Sequence, residues 1–345
     1  MGNLFSFINN EKTKPIKFEH PKNPFHVLCF GYTFEIKQKN INNILATEFA
    51  EKGIILSNQV NNLSKIKWST ATNTKNGVNA AAQILSFKSD VQQDIIPLVN
   101  KDLREKHNIF LFDETDTNFE FNSRRFADGQ LFCYIVKNSS LLQASLNLSE
   151  NASSTLFHNS YLYRQLKEVV FPEFVRNTNY HNYTKESPVE RIVFSIKISH
   201  IQINNEMFYI FKFHGKSFGR SQIQRIMTMI LAYIYGKATI ETIRRTFSKN
   251  IWKISKCPNY CMFLEKVDFR YYIDRFMKPR PNRIDVEFTS QRPTIEKWKN
   301  EVLFPYILAE MEKNDIDKKI FEVAHENPPK FVSTPIVYMP IKQPE

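Results

Sequence analysis

The sequence has few of the residues that build disulfide scaffolds, zinc sites and nucleotide-binding loops. It contains four cysteines in 345 residues, too few for a disulfide framework at this length. Cys257 and Cys261 are spaced C-x3-C, but no second pair stands at zinc-ligand spacing, so the pattern favours buried thiols in a reducing compartment. Only eight glycines are present, and no GxGxxG, P-loop or HExxH motif occurs. We therefore predict no metal and no cofactor.

Long apolar runs and targeting signals are also scarce. No run of about 18 apolar residues occurs, which argues against a membrane span. The first six residues fit an N-myristoylation pattern at Gly2, but such short patterns often arise by chance and one acyl chain anchors only weakly. Residues 1–20 contain no arginine, so a mitochondrial presequence is only weakly indicated. The compartment stays open, with the nucleus and the mitochondrion as candidates.

Positive charge is what the sequence has in excess. It holds 47 Lys and Arg against 35 Asp and Glu, a net charge of +12. A field of that sign favours polyanions, namely nucleic acid, an anionic membrane face or an acidic partner, and charge alone does not choose among them. Hydrophobic residues make up 42%, so the chain can bury the core of two modest domains or one large one.

Hydrophobic periodicity predicts strands and helices that alternate in two passes, 25–113 and 128–270. The predicted strands are 25–32, 79–88, 107–112, 130–137, 190–198, 206–213 and 260–268. The predicted helices are 40–52, 219–235 and 239–248, with a short helical or irregular segment at 93–105. Residues 140–175 are predicted to be a partly helical insertion, and 278–345 a Pro-rich tail with one helix near 294–314. Two passes favour two α/β or α+β units packed side by side.

Residues 68–88, WSTATNTKNGVNAAAQILSFK, form the most informative motif. It resembles the signature of TruA-type tRNA pseudouridine synthases of the eukaryotic branch, in which Arg-Thr-Asp precedes a Gly-Val core and an alternating strand. The flanks and the Gly-Val core match. The family's aspartate falls on Lys75 and its arginine on Asn73.

Further segments are similar to the family in the same order along the chain, so that the resemblance covers about residues 25–310. They are 121–134, 179–184 (NYHNYT), 215–226 (GKSFGRSQIQRI), 257–267 and 303–307. The resemblance implies two ferredoxin-like α/β domains whose antiparallel sheets join across a basic cleft that holds RNA. On this basis we expect a flexible arm at 1–23, an α/β domain at 24–126, a second at 127–290 with an insertion at 140–178, and a helical tail at 291–345.

The departures from the family fall on the positions that carry its chemistry. Its reaction needs a carboxylate to attack the flipped uridine, and Lys75 has the opposite charge at neutral pH. The arginine that orients this carboxylate falls on Gln224, and the tyrosine beside the uracil falls on Phe132. An Asp→Lys change beside a retained arginine would bury two like charges, so these losses are consistent with one another. We therefore expect an inactive synthase homologue.

Other acids and the basic residues of the motifs are further candidate site residues. Five aspartates lie nearby in sequence but not on the turn before Gly77: Asp90, Asp94, Asp113, Asp116 and Asp128. The candidate RNA contacts are Lys75, Arg124, Arg125, Tyr180, His181, Lys216, Arg220 and Arg225. Each has a structural alternative, because dense aromatics are more often core, a lone histidine more often satisfies its neighbours, and basic residues often form a solvated face. For Lys75 we slightly favour a structural bond inside a disused pocket.

The sequence thus predicts a non-catalytic, pseudouridine-synthase-like protein that binds structured RNA, such as tRNA or rRNA, or scaffolds an RNA-associated complex with protein partners. The alternative is a purely structural protein–protein subunit whose former RNA cleft is filled by a partner or by its own tail, with 315–345 and 140–175 as docking elements. A third hypothesis is an active synthase with a relocated nucleophile.

Overall fold

A computed structural model describes residues 25–34, 40–74, 77–91, 93–117, 121–145, 157–277 and 285–333. Lys75, the expected N-terminal arm and the end of the tail lie outside these described residues.

Eleven strands are seen in the described part of the chain. They are β1 (Phe25–Tyr32), β2 (Ser69–Thr70), β3 (Asn79–Lys88), β4 (Ile109–Thr117), β5 (Gly129–Lys137), β6 (Asn177–Asn179), β7 (Glu190–Ile203), β8 (Glu206–Gly215), β9 (Ile251–Lys253), β10 (Met262–Asp268) and β11 (Lys330–Ser333). Nine of them form one mixed sheet in the order β4-β1-β3-β10-β5-β8-β7-β6, with β2 paired to β3. β9 and β11 form a separate antiparallel pair.

The helices lie between the strands of this mixed α/β fold. They are α1 (Ile41–Glu51), α2 (Ile96–His107), α3 (Ser123–Phe126), α4 (Asn138–Ser145), α5 (Tyr161–Gln165), α6 (Gln222–Ile234), α7 (Ile240–Arg245), α8 (Arg270–Tyr272), α9 (Arg292–Trp298), α10 (Phe304–Lys313) and α11 (Ile316–Phe321). Short helical turns extend several of these, so that residues 299–303 join α9 to α10.

One sheet runs through both halves of the chain, and its middle is the junction between them. β10, which comes late in the sequence, lies between β3 of the first pass and β5 of the second. It pairs parallel with β3 through Phe263 and Leu264, whereas every other ladder between described strands is antiparallel. All eight residues of β1 are buried, as the apolar run FHVLCFGY predicts for a strand covered on both faces.

The predicted strands and the main helices are confirmed, with small changes at their ends. The strand predicted at 107–112 begins at Ile109 and continues to Thr117, and the one predicted at 190–198 continues to Ile203. α1 buries the predicted face, including Ile44 and Phe49, and ends just before Gly53, which has a φ of +72°.

The tail contains more structure than the single predicted helix. α9 and α10 cover the predicted stretch, but α11 follows them and β11 pairs with β9. Ile316, Ile320 and Ala324 recur every fourth residue and are fully buried, which is the helical signal that the sequence interpretation missed. The tail docks on the sheet through Lys299, whose Nζ lies 2.7 Å from Glu265 Oε1 of β10.

The β7–β8 hairpin offers a stability test. Its turn residues Asn204 and Asn205 have φ values of +48° and +63°, which asparagine tolerates better than alanine. We expect Asn205→Ala to lower the free energy of unfolding by about 1 to 2 kcal/mol, measured by urea denaturation. Asn205→Gly is the matched control and should cost much less; equal losses in both variants would contradict the turn geometry.

Candidate functional site

An open cleft of about 910 Å³ lies over the middle of the sheet. Strands β1, β3, β5 and β10 contribute Tyr32, Gln83, Gln130, Phe132 and Met262 to its lining. The segments 72–74 and 218–224 also belong to the lining. Asn73, Phe132 and Gln224, three of the four positions where the sequence is expected to depart from the family, therefore line one cleft. Thr74, which precedes Lys75, also lines it.

Residues 72–74 are held in place by β1 and β3. The Gln83 side chain bonds Thr72 on both sides: Nε2 donates to Thr72 O at 2.9 Å and Oε1 accepts from Thr72 N at 3.2 Å. Tyr32 Oη and Thr74 Oγ1 are hydrogen-bonded. Gly77 has a φ of +80°, a conformation that favours glycine, and a Cβ there would lie 2.7 Å from Asn259 Nδ2, so the Asn259 side chain would have to shift.

Another part of the lining is the loop that leads into α6. Phe218 packs edge-on against Phe132 with 5.9 Å between the ring centroids. Gly219 packs so closely on Thr184 that a Cβ would lie 2.4 Å from its Oγ1. Gln222 Oε1 accepts from Gly219 N at 2.9 Å. Backbone and side chain together thus fix where α6 begins relative to the sheet.

Neutral amides and hydroxyls dominate the described lining. Its charged residues are two cations, Arg220 and Lys256, and one carboxylate, Glu186. Glu186 Oε2 accepts from Arg220 N at 2.6 Å, so this carboxylate serves as a loop contact. The sequence interpretation missed Glu186, although it stands two residues after the NYHNYT segment.

The five aspartates considered from the sequence are absent from the described lining of the cleft. Asp113 accepts from Glu114 N and from Gln291 Nε2. Asp116 pairs with His26 Nδ1 at 2.8 Å. Asp128 Oδ2 accepts from Tyr271 N at 2.6 Å. Asp90 lines a separate groove, and Asp94 is exposed.

Three of the candidate RNA contacts make structural bonds. Tyr180 is fully buried, its hydroxyl donates to Phe174 O, and its ring packs against Tyr183 and Phe247. It is a core residue, and we do not retain it as a base-stacking surface.

His181 and Arg225 are similarly engaged. The His181 Nε2 atom lies 3.1 Å from Asn250 O. Half-buried Arg225 donates to Tyr183 O at 2.8 Å and to Ile254 O at 3.3 Å, and burial lowers the pKa of its guanidinium. Both residues therefore join neighbouring elements together.

The remaining described candidates are exposed cations. Arg124 and Arg125 lie on α3, Lys216 follows β8, and Arg220 precedes α6. Arg220 alone among these four lines the cleft. Lys75 lies outside the described residues.

The thiols are all free and buried, as the sequence interpretation favoured. Burial raises the pKa of the Cys257 thiol to about 12, which disfavours the thiolate that metal binding or nucleophilic attack requires. Within the described ranges, no three His, Cys, Asp or Glu side chains cluster as metal ligands would. None of the described helices is both long and apolar enough to cross a membrane.

A buried acid, Asp268, lies at the end of β10, where it pairs with Gly129 of β5. Its Oδ2 is 2.7 Å from His214 Nε2, and its other oxygen bonds Lys266. Burial by itself would raise the pKa of Asp268, but its bonds to Lys266 and His214 hold the pKa below the ordinary value. Because the folded pKa is depressed, the carboxylate stabilises the fold above pH about 4, and this contribution is lost as the pH falls through the folded value.

We therefore expect Asp268→Asn to destabilise the protein at neutral pH and to flatten the loss of stability below pH about 4. Urea denaturation at a series of pH values measures this. Asp90→Asn, at an exposed aspartate, is the control and should keep the wild-type pH profile. An unchanged acid limb in Asp268→Asn would contradict the assignment.

Similarity to known proteins was found over most of the chain. A protein named pseudouridylate synthase 1 homolog from Mus musculus is 21% identical over 277 residues, covering 79% of this chain and 64% of that protein. Its Homo sapiens counterpart is 20% identical over 276 residues, covering 78% and 63%. A tRNA pseudouridine synthase 1 from Schizosaccharomyces pombe is 24% identical over 150 residues, covering 42% and 28%.

The chain is thus similar, at 20 to 24% identity, to proteins named as pseudouridine synthases. It spans slightly less than two thirds of the length of the two mammalian relatives. No family model matches the chain. Among solved structures, a CRISPR-associated protein Cas6 shares 13% identity and covers 56% of this chain and 88% of its own, with a TM-score of 0.17. A CRISPR endoribonuclease Cse3 bound to RNA shares 7%, covers 58% and 88%, and has the same TM-score.

Proposed function

We propose that this protein is a non-catalytic, pseudouridine-synthase-like protein that binds structured RNA in the cleft over its sheet. The observation that carries the proposal is the composition of the cleft. It brings together Asn73, Phe132 and Gln224, and its one described carboxylate is Glu186. In this proposal the two passes of the chain correspond to the family's two ferredoxin-like domains.

The missing nucleophile is the first line of support. The family's reaction uses a carboxylate to attack the uridine, and the matching position is Lys75 in the sequence. Glu186 accepts a backbone hydrogen bond from the α6 loop, so using it as nucleophile would release Arg220 N. Gln224 cannot orient a carboxylate as a guanidinium does, because an amide lacks the charge and the paired donor fork.

Retention of RNA binding is supported by charge and by the open cleft. The net charge is +12, and exposed cations lie on α3, after β8 and at the cleft itself. Since phosphate contacts supply most of the affinity for nucleic acid, such a surface can hold RNA after the chemistry is lost. The S. pombe relative's name includes tRNA, which makes tRNA the first RNA to test.

The alternative, a structural subunit with an occluded cleft, has less support. No residue of the described tail, 285–333, lines the cleft. The end of that segment, β11, instead pairs with β9. A protein partner in a larger RNA-associated complex is compatible with our proposal.

Tritium release from tRNA labelled at C5 of uridine tests the loss of catalysis. We expect the protein to bind this tRNA and to release no tritium under conditions where an active pseudouridine synthase does. Lys75→Asp should also release none, because Gln224 stands where the orienting arginine is needed. Release that disappears in Glu186→Gln would establish a relocated nucleophile and overturn the proposal, and release by Lys75→Asp would overturn the assignment of Gln224.

A further inference from the structure

The start of α6 presents hydrogen-bond donors to the cleft. α6 has 13 residues, and its N-cap, Ser221, has a φ of +60° and makes no side-chain cap. The N–H groups of Gln222 and Arg225 donate to Gly219 O and Ser221 O. Among hydrogen bonds between described residues, the N–H groups of Ile223 and Gln224 find no acceptor. Since helix N-termini also carry partial positive charge, these groups favour an anionic acceptor.

The Gln222 side chain is an independent second observation. Gln222 lines the cleft and is fully buried. Its Oε1 accepts from Gly219 N, which fixes the orientation of the amide because the flipped form would bring two donors together. Its Nε2 is buried and has no hydrogen-bond partner. Since buried donors are nearly always paired, this amide is suited to an acceptor that the described residues do not supply.

Charged residues at the same place match an anion. Arg220 and Lys256 both line the cleft and are exposed, and neither forms an ion pair with a described carboxylate. Glu186 opposes them, since its carboxylate contacts Arg220 N. The set therefore combines backbone donors, one amide donor and two cations with a single carboxylate at its edge.

We propose that the first turn of α6, with Gln222, Arg220 and Lys256, is a phosphate subsite within the cleft. A phosphate group offers acceptors and negative charge, and would therefore pair with these unpaired donors and with the two cations. The remaining lining, with amides such as Asn73, Gln130 and Gln224 beside the Phe132 ring, offers hydrogen bonds and a stacking face to a nucleoside joined to that phosphate. The proposal rests on the proposed function, because it names the part of an RNA nucleotide that this side of the cleft holds.

Calorimetric titration of the full chain with uridine 5′-monophosphate, uridine and inorganic phosphate tests the subsite. We expect the monophosphate to bind roughly tenfold more tightly than uridine, as for a charge-assisted contact. Arg220→Gln and Gln222→Met should remove most of this difference, and Glu186→Gln should increase it. Lys237→Gln removes the same charge at the other end of α6, where Lys237 is exposed, and should leave the difference intact.

The outcomes separate the subsite from the proposed function. Competition by inorganic phosphate would identify a site that also takes free phosphate, whereas binding of a uridine dinucleotide without such competition would identify a phosphodiester site. Equal affinities for uridine and its monophosphate, or equal losses in Arg220→Gln and Lys237→Gln, would overturn the subsite. Arg220→Gln keeps this test valid if Gln222→Met unfolds. Phosphate-dependent binding without any tRNA binding would refute the proposed function and leave the subsite standing.

Discussion

The affinity of this protein for tRNA should fall by roughly 100- to 500-fold when monovalent salt rises from 50 to 200 mM. Five exposed cations carry this expectation: Arg124, Arg125, Lys216, Arg220 and Lys256. Each phosphate that a cation neutralises releases condensed counterions. Each such contact therefore makes the plot of log affinity against log salt steeper by about 0.7 to 0.9. Filter binding over a salt series measures this slope directly.

Substitutions measure how much each cation contributes to this salt dependence. Arg124→Gln together with Arg125→Gln should reduce it by between about 1.4 and 1.8 if both contact phosphates. Arg245→Gln is the control, because Arg245 is exposed but pairs with Glu241 on α7. A slope and affinity no greater than those of an unrelated protein of equal net charge would remove the evidence for a dedicated RNA surface.

Replacing Tyr180 with alanine should cost about 3 to 5 kcal/mol of unfolding free energy, as large core aromatics do. Tyr180 is fully buried among Phe174, Tyr183 and Phe247, and its hydroxyl donates to Phe174 O. The alanine variant loses the packing of the ring and leaves Phe174 O without its donor. Urea denaturation gives the free energy of unfolding of both proteins.

A conservative substitution distinguishes core packing from RNA stacking at this position. Tyr180→Phe keeps the ring and loses one hydrogen bond, so we expect a cost of about 1 kcal/mol and unchanged tRNA affinity. If Tyr180→Ala were as stable as wild type but bound tRNA more weakly, Tyr180 would be a stacking residue after all.

Much of the fold followed from local patterns. The strand predicted at 79–88 is confirmed as Asn79–Lys88. The prediction was accurate because Gly77 and the polar residues after Lys88 mark the two ends of a ten-residue run that fits one buried strand. The turn between β7 and β8 is also local in origin, because Asn204 and Asn205 both have positive φ, which asparagine tolerates. The sequence did not predict α11 because this helix has only six residues. An apolar repeat over about one and a half turns is a weak signal.

The site was less accessible to sequence reasoning. Glu186 lies 38 residues before Gln224 in sequence, yet both line the cleft. Asp268 and His214 are also distant in sequence, and they contact each other only because β10 and β8 flank β5. No local pattern encodes such pairs, since they depend on the order of strands in the sheet.

The sequence by itself determined the strands, the principal helices, the positive charge and the presence of a lysine, Lys75, two residues before Gly77. These properties are set by residue type and by short-range periodicity. Tertiary structure alone decided that Asn73, Phe132 and Gln224 share one cleft, that Tyr180 is core, and that Gln222 presents an unpaired amide beside Arg220. The physical reason is that burial and hydrogen-bond pairing are properties of packed neighbours. In this protein those neighbours come from strands that are distant in sequence and adjacent in the sheet.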